Sequence, residues 1–228
     1  MNLLLLGRGK TGSLVAEVAE QRGHRVTVLG SADNLGNAAL VPERLQDIDV
    51  VIDFTTPDAV LGNIESCTRA RNNMVVGTTG WYGEISAVRH LVHESGIGFI
   101  YGSNFSIGVN LFFEFARIAA AALNHGYEGH ITEIHHTHKK DAPSGTAVVL
   151  KEVVTSASGR LLPIQSVREG DVVGTHLVTF ESSNDRITLS HEAQSRRGFA
   201  EGAVLAAEWL SGKKGFFDFR EVFREMKR

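Results

Sequence analysis

The sequence predicts an α/β protein: a Rossmann-type doubly wound parallel sheet followed by a second, mixed α+β domain. Three observations predict it. Short, wholly apolar runs alternate with amphipathic segments over the first hundred residues. A glycine-rich turn joins the first run to the first amphipathic segment. At Ile107 the rhythm changes to a long apolar helix and then several strand-like runs.

The strand candidates of the first part are "NLLLL" (2–6), "RVTVL" (25–29), "DVVID" (49–53), "MVVG" (74–77) and "IGFIY" (97–101). Runs that are apolar throughout suit strands covered on both faces, as in a parallel sheet. Between the first two, Leu14, Val15, Val18 and Ala19 fall at helical spacing within 12–22, and Pro57 sits at the expected first turn of a later helix. From Ile107, "IGVNLFFEFARIAAAALNHG" reads as a helix closed by Gly126, expected in a buried core rather than a membrane. A strand at 128–138, a helix from about Ser144 to Ser156 and strands near 164–168, 175–182 and 186–192 follow, with turn residues in "REGDVVGTH" and "SSNDR". The tail from about Gly198 is helical in pattern, first "FAEGAVLAAEWL" and then "FDFREVFREMKR". The expected domains are a dinucleotide-binding domain at 1–106, completed by C-terminal helices in 198–228, and a substrate-binding domain at 107–197.

Composition narrows the function classes. The 228 residues are 43% hydrophobic and 21% charged, with a formal net charge of −3. That balance suits a globular protein and excludes a broad cationic surface for nucleic acid. One cysteine, Cys67, offers neither an internal disulfide nor a thiolate zinc site. The apolar "MNLLLL" stops at Gly7 without a basic leader, so a cytoplasmic location is expected.

Gly7, Gly9 and Gly12 form G-x-G-x-x-G between the first strand and the first helix, the place where such a turn lets backbone approach a pyrophosphate at a helix N-terminus. The second strand ends in "VLGSADN" with no immediate acid; Asp33 comes slightly late, and Lys10 could meet a 2′-phosphate. "GTTG" (77–80) and "GSNFS" (102–106) follow the fourth and fifth strands, and the Thr78 and Thr79 hydroxyls are candidates for a nicotinamide ribose. The stretch "EIHHTHKKDAPSGTA" (133–147) gathers the remaining chemistry. Strand alternation puts Glu133, His135 and Thr137 on one face and His136 and His138 on the other. The second pair has metal-chelating spacing, but no third ligand is evident and Lys139 and Lys140 would repel a cation. A carboxylate docked at the helix start Ser144-Gly145-Thr146, with a proton from Lys139 or His135, is the preferred reading.

These blocks resemble the dihydrodipicolinate reductase family. The resemblance rests on "EIHHTHKKDAPSGTA" and extends through "VIDFTTPDAV", "VVGTTGW", "GSNFSIGVNLFF", "VREGDVVGTHLVTF" and "SRRGFAEGAVLAAEWLSGKKGFFDFREVF", in the family's order. It implies reduction of 4-hydroxy-tetrahydrodipicolinate, a cyclic dicarboxylate of lysine biosynthesis, by NADH or NADPH, with hydride to C4 and a proton to C3. It further implies His135 and Lys139 as catalytic residues and His136, Gly145 and Thr146 as substrate contacts. The cofactor contacts it implies are Gly7, Arg8, Gly9, Lys10, Thr11, Gly12, Gly77, Thr78, Thr79, Gly102, Ser103, Asn104 and Phe105. A homotetramer without metal, membrane or nucleic-acid partner is the family expectation. The glycine turn "GRGKTG" is one residue shorter than the family's usual form. Another NAD(P)-dependent amino-acid dehydrogenase, a hydrolase with a metal on His136 and His138, and a nucleotide-sensing module are the rival readings.

Overall fold

A computed structural model of the chain describes residues 1–226. In chain order the main elements are β1 (Asn2–Leu6), α1 (Lys10–Gln21), β2 (Arg25–Leu29), α2 (Pro42–Leu45), β3 (Val50–Asp53), α3 (Pro57–Ala70), β4 (Asn73–Val76), α4 (Ile85–Ser95) and β5 (Gly98–Tyr101). Then come α5 (Ile107–Ala119), β6 (Glu128–His135), α6 (Gly145–Ser158), β7 (Ile164–Arg168), β8 (Thr175–Glu181), β9 (Arg186–Glu192), α7 (Arg197–Leu210), β10 (Gly215–Asp218) and α8 (Phe219–Val222). The chain divides into two compact units, one of residues 1–106 with the C-terminal segment from Arg197, the other Ile107–Arg196.

The first unit holds a six-stranded parallel sheet in the order β10-β5-β4-β3-β1-β2. Leu3 to Leu6 are all buried, as are Val50 to Asp53, because helices cover both faces. One face packs Leu4, Leu6, Val51, Met74, Val76 and Phe99 against Val60, Ile64 and Cys67 of α3 and Val88 and Val92 of α4. Each side chain so enclosed contributes roughly 1.5–3 kcal/mol. The chain runs from β1 outward to β2, then returns to β3 on the other side of β1. That reversal opens a crevice at the carboxyl ends of β1 and β3.

The expected helix start at "FDF" is corrected: its Phe217 and Asp218 belong to β10, which pairs with β5 in the register Phe216↔Phe99 and Phe217↔Ile100. Alternation decides it. Phe216 stacks on Phe99 at 5.2 Å, whereas Phe217 meets Trp209 edge-on, also at 5.2 Å. Helical structure resumes only as the short α8 and a following 3₁₀ turn. Lys227 and Arg228, the end of that expected helix, lie outside the described residues.

The second unit is a four-stranded sheet in the order β7-β6-β8-β9, with β6–β7 parallel and the other pairs antiparallel. Ile131, Val178 and Phe180 pack against Val109, Phe112, Phe113, Ala147, Leu150 and Val154 of α5 and α6. With its 3₁₀ extension, the helix Ile107–His125 is long and apolar enough to cross a membrane by length and composition. Its Phe112 and Phe113 face the core just named, while Phe115 and Ile118 are exposed. β6 ends at His135, three residues before the expected 138, because the next amides turn away: His136 N–H donates to Val172 O (2.8 Å) and Thr137 N–H to Gly170 O (3.1 Å).

Candidate active site

In the first unit, the turn after β1 is shaped by backbone approach. Gly7 has φ +103°, and a Cβ there would lie 2.2 Å from Phe54 O; a Cβ on Gly12 would lie 2.2 Å from Gly7 O. Only glycine lets β1, the turn and α1 close this tightly. Gly9 caps α1 with extended backbone and no side-chain hydrogen bond, and a Cβ on it would meet nothing within 4 Å. This leaves a bare, open helix start suited to a pyrophosphate. A cavity of about 710 Å³ begins here, lined by Gly7, Arg8, Gly9, Gly30, Asp33 and Phe54 among others, and the residues fit a bound dinucleotide. Gly12→Ala is expected to force the turn apart, costing roughly 1–3 kcal/mol. Cofactor titration by fluorescence should show affinity weakened about 5- to 150-fold if a cost of that size falls on the bound state.

At the far wall, Asp33 accepts from Gly30 N–H (2.8 Å) and pairs with Arg8 (3.2 Å). Asp33 lies in the turn after β2, and Arg8 is the ion-pair partner of this acid. Lys10 is exposed on the first turn of α1, with Thr11 half-buried beside it.

The loops after β3 and β4 are tied by Asp53, which is fully buried. Its carboxylate accepts from Thr55 N–H (3.0 Å), Thr55 Oγ1 (2.8 Å), Thr78 Oγ1 (2.6 Å) and Asn63 Nδ2 (2.8 Å). Burial pushes its pKa upward, opposed by these same donors. The Thr78 hydroxyl is therefore committed to Asp53 and also accepts from Thr55 N–H (2.7 Å). Thr79 is exposed, and Gly77 lies under the Phe54 ring. Of the loop after β5, Ser103 is exposed and Asn104 Oδ1 accepts from Ser106 N–H (2.9 Å). Gly102 is buried and Phe105 is a core ring, 4.6 Å from Phe219. Phe54, Thr55 and Thr56 line the cavity without having been singled out; their signal is the position immediately after β3, beside the switch point.

In the second unit the inward face of β6 carries Glu133 and His135. Glu133 is fully buried; one oxygen is hydrogen-bonded with His135 Nδ1, and the other accepts from Arg168 Nη2 (2.9 Å). Burial pushes Glu133 up, but the Arg168, Ser166 and His135 bonds outweigh it and hold the pKa at about 2. His135 is drawn down by its own burial and up by Glu133, with a net lowering. Its ring lies edge-on to His176 at 5.1 Å.

Lys139 sits on the turn beyond β6, its N–H donating to His136 O (3.1 Å) and its Nζ 2.8 Å from Asp141 Oδ1. That hydrogen bond with Lys139 lowers the Asp141 pKa. Ser144 caps α6: its Oγ accepts from Ala147 N–H (3.2 Å) and lies 2.9 Å from His176 Nε2. Gly145 opens the first turn, exposed, with nothing within 4 Å of where a Cβ would be; Thr146 follows. His136 is half-buried, its ring 6.3 Å from that of His138. Among the described residues, no three of His, Cys, Asp or Glu form a group that could hold a metal. The arrangement offers cations and a helix start to a carboxylate, and two proton-active side chains to a ring beside it. Arg168, His176 and Asp53 were missed in the sequence; the first two are recognisable only once strand register is known.

Comparison with known proteins gives a consistent picture. Residues 1–105 match the family model described as dihydrodipicolinate reductase, N-terminus, and residues 108–223 match its C-terminus counterpart. The chain is 39% identical to a 4-hydroxy-tetrahydrodipicolinate reductase of Christiangramia forsetii, over 99% of both chains. It is 41% identical to that of Laribacter hongkongensis, over 80% of this chain and 75% of the relative. A dipicolinate-bound dihydrodipicolinate reductase from Paenisporosarcina sp. TG-14 superposes with a TM-score of 0.81 at 23% identity, covering 97% of this chain and 99% of the other, which establishes the fold.

Proposed function

The chain belongs to the dihydrodipicolinate reductase family, and on that premise we infer its reaction: the NADH- or NADPH-dependent reduction of 4-hydroxy-tetrahydrodipicolinate to tetrahydrodipicolinate, on the route to diaminopimelate and lysine. The observation that carries the residue-level reading is the cluster after β6, where Lys139 and His135 stand in the same short segment as the start of α6.

Gly145 and Thr146 at that helix start, with His136, hold a carboxylate of the substrate. Loss of the 4-hydroxyl as water leaves a conjugated ring imine. A reduced nicotinamide cofactor held at the Gly7–Gly12 turn would supply the hydride for C4. Lys139 supplies the proton to C3, and its charge stabilises negative charge building in the ring at the transition state. His135, more enclosed and drawn toward its neutral form, is the second acid–base group. On the cofactor side, Gly7, Gly9 and Gly12 shape the phosphate turn, while Arg8 and Asp33 face the adenosine end of the cavity. The loops at Gly77–Thr79 and Gly102–Phe105 contribute backbone, with Thr78 and Phe105 holding them in place through side chains turned inward.

Asp33 is placed to accept from a ribose diol, and Arg8 to meet a 2′-phosphate. Asp33→Asn is expected to shift the NADPH-to-NADH ratio of kcat/KM about tenfold toward NADPH, since a hydrogen bond to a charged group is worth roughly 1.5–3 kcal/mol. Initial rates with each cofactor check this. An unchanged ratio would remove Asp33 from cofactor selection.

We further propose a cytoplasmic homotetramer. Support comes from the second unit, whose sheet has α5 and α6 on one side and Thr132, Ile134 and Leu177 alternating toward the other. Sedimentation would show four copies; a monomer would refute it. The reaction itself is tested with substrate made in situ from pyruvate and aspartate semialdehyde, following loss of reduced-cofactor absorbance. Oxidation that depends on the substrate supports the reading, and none with either cofactor would overturn it.

A further inference from the structure

We propose that Glu133 and Arg168 are positioning residues of the reaction: Glu133 fixes His135 as the Nδ1–H tautomer, so that Nε2 is the ring nitrogen that exchanges a proton, and Arg168 fixes Glu133. The inference rests on His135 being an acid–base group of the reductase.

Glu133 is fully buried with the Arg168 guanidinium donating to one oxygen at 2.9 Å, and its bonds hold its pKa at about 2, so at neutral pH it is ionised and only accepts. The nitrogen that bonds its other oxygen must then carry a hydrogen. That nitrogen is Nδ1 of His135, whether the ring is neutral or charged. Proton gain and loss at His135 are confined to Nε2.

Two features keep Nε2 usable. Gly174 runs so close that a Cβ on it would lie 2.8 Å from Nε2, so only glycine leaves that atom uncovered. His176, edge-on at 5.1 Å, packs against the ring and is drawn toward its neutral form by burial, so it adds no competing charge at neutral pH. Arg168 has a second task. The same Nη2 donates to Asp141 O at 2.6 Å, and the Asp141 carboxylate holds Lys139 Nζ at 2.8 Å. One guanidinium on β7 therefore anchors both the histidine's carboxylate and the turn that bears the lysine. The charged or titratable groups facing His135 are Glu133, Lys139, Arg168, Asp141 and His176. Of these, only Glu133 accepts from its ring.

The test uses full-length protein labelled with ¹⁵N-histidine, with His135→Gln assigning the resonances. Long-range proton–nitrogen spectra of the neutral form should show His135 Nδ1 protonated and Nε2 bare. Glu133→Gln should lower kcat at least tenfold, on the order of the loss from misplacing a reacting group. In that variant cofactor affinity and the KM of the dicarboxylate should stay within about twofold, since no ligand contact is removed. The His135 titration should move to lower pH, because the carboxylate that favours the charged ring is gone. A wild-type spectrum with Nε2 protonated overturns the inference, as does Glu133→Gln with wild-type kcat and an unmoved titration. Should Glu133→Gln fail to fold, the wild-type spectrum still decides. If the wild-type protein reduced no substrate while its spectrum showed bare Nε2, the reductase reading would fall and the tautomer assignment would stand.

Discussion

Lys139→Ala is expected to lower kcat about 10²- to 10⁴-fold, the range for removing a positioned proton donor. The side chain is only partly exposed and lies on a turn fixed by two neighbours, the Lys139 N–H to His136 O bond and the Asp141 carboxylate at Nζ. On the proposed mechanism, removing it takes away the proton for C3 and a positive charge at the same place. Lys139→Arg separates the two, because a guanidinium keeps the charge but does not give up a proton. The arginine variant should therefore recover substrate binding and little turnover. NADH affinity should be unchanged in both, since the glycine turn and its cavity belong to the other unit. Near-normal turnover in Lys139→Ala would remove this residue from the chemistry.

The second large effect is on acid stability. His176 is buried between β6 and β9, with Ser144 Oγ at Nε2, and burial followed by repulsion from His135 lowers its pKa from 6.5 to about 4. A histidine whose folded pKa is depressed supports the fold fully above its unfolded value and loses that support as pH falls. The window is thus pH 6.5 down to about 4, and the loss across it is about 3 kcal/mol. His135 and His191, also drawn down by burial, act in the same direction. Asp53 acts oppositely, since its raised carboxyl is eased by protonation. Urea melts at a series of pH values isolate the His176 part when wild type is compared with His176→Gln, which retains a group able to bond Ser144. The variant should show the shallower slope over this window. Equal slopes would mean that His176 is not held neutral.

Much of the fold was legible because burial on both faces leaves a plain trace. "NLLLL" and "VVID" admit no alternation, and only a covered parallel strand uses such runs. β10 was hidden because "GFFD" is short and runs directly into a helical turn, so its strand character depends on pairing with β5, more than a hundred residues earlier. The candidate site was legible where its residues are local: the glycine turn, the histidine–lysine run and the cap at Ser144 all lie within short windows. It was illegible where chemistry is assembled across the sheet. Arg168 meets Glu133 because β6 and β7 pair in parallel with His135 opposite Arg168. His176 stands opposite Glu133 through antiparallel pairing with β8. Asp53 read as the end of a strand, yet it holds two loops together, and no spacing rule connects it to Thr78.

The proposed reaction is measured most directly by following the two hydrogens into the product. Reduction with 4-deuterated NADH in ordinary water, and with ordinary NADH in deuterated water, is read by NMR of the ring. Deuterium is expected at C4 in the first case and at C3 in the second, with both signals lost together in Lys139→Ala. Cofactor oxidation without deuterium at C4, or solvent deuterium at C4 in place of C3, would contradict it.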